Sequence, residues 1–78
     1  MRQDAERQRL WLVQSNTVRR LQVDATNGDA GSQYSLGMHY LNGMGCETNR
    51  EQAIEWLQKA AAQGYAAASN KLVALHSP

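Results

Sequence analysis

Seventy-eight residues at 8.7 kDa hold one small domain, which excludes a multidomain enzyme. The apolar fraction is 42%, but eleven of those residues are Ala and Phe is absent, so the large side chains make a thin core for a lone globule. A formal net charge of +1 with 19% charged residues gives neither the basic excess of a nucleic-acid module nor the acidic bias of a disordered tail, and the single cysteine, Cys46, forbids an internal disulfide and points to a reducing, cytoplasmic setting.

Residues 5–27 place Leu10, Val13, Val18, Leu21 and Ala25 mostly three or four apart, which predicts a helix. Asn27-Gly28 ends it, because glycine accepts the left-handed conformation at a helix C-terminus. The segment is one helix, or two if Ser15-Asn16 interrupts it. Leu10 to Val13 is the longest run of large apolar residues, far too short to cross a membrane. Asp29 is placed to cap a second helix reaching about Asn42, closed by Gly43-Met44-Gly45. Thr48 followed three residues later by Glu51 has capping-box spacing and predicts a third helix through Gln63, with Ala53, Ile54, Trp56, Leu57, Ala60 and Ala61 at helical spacing and Gly64 as the stop. A last helix, about Ala66 to His76, carries Ala68, Leu72 and Leu75. No stretch alternates with period two, so the expected fold is all-α, with four helices or five.

The chain also resembles itself. A shift of 36 residues lays Gly28 on Gly64, Ala30 on Ala66, Leu36 on Leu72, Leu21-Gln22 on Leu57-Gln58 and Ala25 on Ala61. A period in this range marks a solenoid in which each helix pair buries its face on the next. The run from Gly28 through Leu36 and Gly37, then Tyr40, Gly43-Met44-Gly45-Cys46, Ala53, Trp56, Ala60-Ala61 and Gly64, resembles a SEL-one-like repeat, a relative of the tetratricopeptide repeat. The likeness divides the single domain into an N-terminal helical region at 1–27, a complete repeat at 28–64 and the first helix of a further repeat at 65–78. The sequence departs from the family pattern at Ser32, usually a small Ala, at Cys46, usually a buried Val, at Asn49, commonly Asp, and at Val73, where a small Gly would stand. Residues 1–16 match nothing in it.

The repeat positions have physical reasons. Gly37 costs about 1 kcal/mol in mid-helix, so another backbone is expected to approach it, with Ala53, Ala60 and Ala61 as the small residues opposite. Trp56 and Tyr40 are expected to fill the space between helix pairs, and Gly43 and Gly45 to turn the loop so that Cys46 points back under the pair. Leu36 and Leu72, and Gly28 and Gly64, hold matching places.

The resemblance implies protein binding in the groove of the repeat, which assigns Ser35, Met38, His39, Asn42 and Lys71 to a partner-binding face. Leu10-Trp11-Leu12-Val13 covers more than one side of a helix, so Leu10 and Trp11 are expected to cap the repeat or contact a partner or second copy. Catalysis, cofactor and metal sites are not expected. Nothing cationic adjoins Cys46, His39 and His76 form no ligand spacing, and there is no nucleophile elbow or phosphate loop. Hydrolase activity in a cysteine-rich branch of the family needs paired Cys residues that are missing here. Arg7, Arg9, Arg19 and Arg20 are diluted by Asp4, Glu6 and Asp24, so no nucleic-acid partner is expected. The expected function is a small cytoplasmic interaction module, bacterial by analogy, acting as adaptor, inhibitor or chaperone, with homodimerisation as the alternative.

Overall fold

The computed structural model describes residues 2–76, with side chains described at Val13 and at 15–76. Four helices follow one another: α1 Arg2–Thr26, α2 Ala30–Asn42, α3 Arg50–Ala62 and α4 Ala66–His76. The described residues form no strand, and the fold is all-α. Ser15-Asn16 does not divide the first segment, so α1 is one helix of 25 residues, about 37 Å long.

Local chemistry sets the ends. The Asp29 carboxylate accepts from Ser32 N at 2.9 Å, satisfying one of the free donors at the start of α2. The α3 cap lies one residue later than the Thr48–Glu51 spacing predicts: the side-chain oxygen of Asn49 accepts from Gln52 N at 3.1 Å. Both residue types cap well, and here the backbone is extended at Asn49, which decides between them. Helix α3 ends at Ala62, with Gln63 as its C-cap.

The 36-residue period reappears in the hydrogen bonds. Gly28 N to Ala25 O at 3.0 Å is matched by Gly64 N to Ala61 O at 2.9 Å, and Asp29 N to Asp24 O at 3.1 Å by Tyr65 N to Ala60 O at 3.2 Å. Gln33 N to Asp29 O is likewise matched by Ser69 N to Tyr65 O. Both turns pivot on a glycine in the left-handed region, Gly28 at φ 98° and Gly64 at φ 85°, where a side chain would be strained.

Extensive packing runs between neighbours in sequence, α1 on α2, α2 on α3 and α3 on α4, the one-dimensional pattern of a repeat array. The tightest contact is α2 on α3. A Cβ added at Gly37 would lie 3.1 Å from the carbonyl oxygen of Ala53 and 3.0 Å from Leu57 Cγ. The expected close approach is therefore present, with Ala53 fully buried beside it; Ala60 is also fully buried, in the cluster with Leu57 and Ala68. Ala61 is half-buried.

Two apolar clusters result. Val18, Ala25 and Leu36 join α1 to α2, with Leu21, Tyr40, Cys46 and Trp56 packed around them. Leu57, Ala60 and Ala68 join α3 to α4, with Tyr34, Ala61, Leu72 and Leu75 around those. Tyr40, Trp56 and Cys46 are half-buried against the first of these clusters. The outcome is a slab of 44 × 33 × 17 Å with a radius of gyration of 13.4 Å. A compact globule of this length would have about 11.5 Å.

Candidate protein-binding groove

Helix α2 spends one side on the core. Gln33, Leu36 and Gly37 are buried, and Tyr40 is half-buried on the same stripe, its hydroxyl accepting from Gln22 Nε2 at 2.8 Å. The opposite stripe holds Gly31, Ser35, Met38 and Asn42, with His39 beside it. Gly31, Ser35, Met38 and His39 are half-buried and Asn42 is exposed. The Nδ1 atom of His39 lies 2.8 Å from Ser35 O, one turn back. That contact fixes the ring along the helix and leaves Nε2 as its outer atom.

On α4 the counterparts of Gly31, Ser35 and Met38 one period on are Ala67, Lys71 and Ala74. Lys71 is half-buried, while Ala67 and Ala74 are exposed. Tyr34 links the two helices: its ring centroid lies 5.2 Å from that of Tyr65, tilted by 44°, and it packs on the Leu57–Ala60–Ala68 cluster. Neither α2 nor α4 contains an Asp or Glu; the described carboxylates lie on α1, on α3 and in the loops. The face shared by α2 and α4 is therefore small-residued, amide- and hydroxyl-bearing, and neutral to basic.

Gln33 is 5% exposed and ties α2 to the end of α1 and to the C-cap of α3. Its Nε2 donates to Ala25 O at 3.0 Å, and its Oε1 accepts from Gln63 Nε2 at 2.8 Å. Sequence reasoning missed this residue because Gln is mostly found at surfaces. The available signal was position: 33, 36, 37 and 40 form one helical stripe.

The loop 43–49 is pinned from α1 by Ser15 Oγ, which donates to Gly45 O at 2.7 Å. Gly43 and Gly45 turn it at φ 68° and 75°. The Cys46 thiol points inward with Sγ 3.6 Å from His39 O, and burial pushes its pKa up. A raised pKa suppresses the thiolate, the opposite of what a nucleophile needs. Among the described residues no group of three or more His, Cys, Asp or Glu could hold a metal ion. No helix there is long and apolar enough to cross a membrane. The side chains of Leu10 and Trp11 lie outside the described residues.

Residues 30–65 match the Sel1 repeat family model. Over 61 residues, 78% of this chain, the sequence is 36% identical to DAP3-binding cell death enhancer 1 of Mus musculus. It is 34% identical to the protein of that name from Rattus norvegicus over a span of the same length. The chain covers only 12% of the length of each of these relatives. No solved structure matches. Repeats of this family serve as protein-interaction modules and are not typically enzymatic. The period of hydrogen bonds, the Gly37–Ala53 contact and the family match agree: residues 30–65 are a Sel1 repeat.

Proposed function

We propose that the chain binds a segment of another protein across the α2–α4 face, with Ser35, Met38, His39, Asn42 and Lys71 as contacts. The observation that carries this reading is that α2 buries Gln33, Leu36 and Gly37 in the core and keeps the opposite stripe half-buried or, at Asn42, exposed. Met38 suits such a surface because an unbranched thioether adapts to varied partners. Carboxylate-free helices favour a partner segment of neutral or acidic character. The mammalian relatives are named for binding a protein, which supports a protein partner in kind without identifying it. The activity proposed is that of an inhibitor, chaperone or short adaptor in a reducing, cytoplasmic compartment.

The test is site-specific photocrosslinking in the native host. A photoreactive residue at Met38 or Lys71 is expected to capture one protein that the same residue at Glu55, on exposed α3 surface, does not. Met38→Asp with His39→Asp is expected to abolish that adduct while circular dichroism stays helical. Equal capture from Met38 and Glu55 contradicts the groove.

A further inference from the structure

Helices α2 and α4 are closed in different ways. Helix α2 runs into the Gly43-Met44-Gly45-Cys46 turn, which folds back on its last carbonyls. His39 O accepts from Gly43 N and from Met44 N at 3.0 Å, with Cys46 Sγ 3.6 Å away. One period on, the counterpart of His39 is Leu75, in the last turn of α4. The final carbonyls of a helix have no partner within it, so Leu75 O needs a donor from elsewhere. Among the described residues that donor is Arg50, whose Nη2 donates to Leu75 O at 3.0 Å.

Arg50 is the first residue of α3 and takes no part in capping it, since the Asn49 side chain does so through Gln52 N. A cation at that position is unfavourable to its own helix, because it stands at the positive end of the dipole. Helix α4 folds back along α3 after the Gly64 turn and brings its negative, carbonyl end to the start of α3. The guanidinium therefore lies where its charge is favoured and where an orphan acceptor needs a donor.

This bond matters because α4 has few other holds. It packs extensively on α3 alone, and its large residues on the Leu57–Ala60–Ala68 cluster, Leu72 and Leu75, are only half-buried. Leu75 stands one turn beyond Lys71. Opening of the last turn withdraws Leu75 from the cluster and breaks the helical bond from Leu75 N to Lys71 O.

We propose that Arg50 is a clasp from α3 that holds the last turn of α4 closed and thereby positions Lys71 in the groove. Arg50 is then a positioning residue for the binding face although it lies on α3, outside that face. The clasp stands on the bond to Leu75; its effect on a partner rests on the α2–α4 face being the binding surface.

Native-state hydrogen exchange of the full chain, read by NMR, tests the clasp. In Arg50→Ala the amides of Leu72 and Leu75 are expected to exchange about fivefold faster, the loss of one exposed charge-assisted bond. Those of Gly43 and Met44, in the turn that closes α2, should keep their rates. Arg50→Lys, which retains a charged donor, is expected to fall between the wild type and Arg50→Ala. Arg50→Glu should exchange fastest at Leu72 and Leu75, even though an acid suits the start of α3, because it brings like charge to the carbonyl end of α4. A rate in Arg50→Ala equal to the wild type, or Arg50→Glu no faster than Arg50→Ala, overturns the clasp. Photocrosslinking tests its link to the groove. Capture from position 71 should fall in Arg50→Ala relative to capture from position 38. Faster exchange with an unchanged ratio of captures overturns that link, and a wild-type chain that captures nothing from either position removes the groove itself, with the exchange order still deciding the clasp.

Discussion

Helices α2 and α4 hold the same place one period apart, and they differ in how many neighbours grip them. Helix α2 lies between α1 and α3, whereas α4 packs extensively on α3 alone. Leu36 is fully buried while its counterpart Leu72 is half-buried, and buried Gln33 corresponds to exposed Ser69. Gly37, pressed against the Ala53 carbonyl, corresponds to Val73, which is 66% exposed. The lesson is that a residue's role in this fold is set by the helix facing it. A small residue is required only where a second backbone arrives, and a polar side chain is buried only where another chain segment supplies its partners.

Substitutions at matched positions should separate the two helices. The largest effect is expected for Leu36→Ala, about 2–5 kcal/mol, enough to unfold a domain of this size, while Leu72→Ala costs clearly less in thermal melts. Gly37→Ala comes next. Its new methyl meets a backbone carbonyl and the fully buried Leu57, so a loss of about 1–3 kcal/mol is expected, against a change within about 0.5 kcal/mol for Val73→Ala. Equal effects at 37 and 73 would break the comparison. Gln33→Leu removes the bonds to Ala25 O and Gln63 and should cost about 1 kcal/mol in urea titrations, while Ser69→Leu is near neutral.

The smallest effect concerns the loop under α2. Burial raises the Cys46 pKa, so the folded chain keeps that proton to higher pH than the unfolded chain does. Stability should therefore fall slightly as pH rises past the ordinary thiol value of about 8.5, and this part of the slope should vanish in Cys46→Ala. Alkylation of Cys46 by iodoacetamide should be slow when folded and rapid in urea.

Much of this was legible in the residues. Asp29 and Asn42-Gly43 gave the bounds of α2, Gly28 and Gly64 gave the matched turns, and Gly37 announced the approach of a second helix, because each signal is local or repeats at a fixed spacing. The start of α3 was misplaced by one residue because Thr48 and Asn49 are both good caps, and only the path of the loop chooses between them. Gln33 was missed because its burial depends on carbonyl and amide partners at Ala25 and Gln63, which composition does not reveal. The groove residues were legible only as what the core leaves over.

The central claim, that α2 is the doubly held platform of the repeat while α4 is held from one side, is tested most directly by native-state hydrogen exchange read by NMR. The amides of Leu36 and Leu57 should exchange only through global unfolding, and those of Lys71 and Leu72 at least about tenfold faster through local opening of α4. Equal protection of Leu36 and Leu72 would contradict the account.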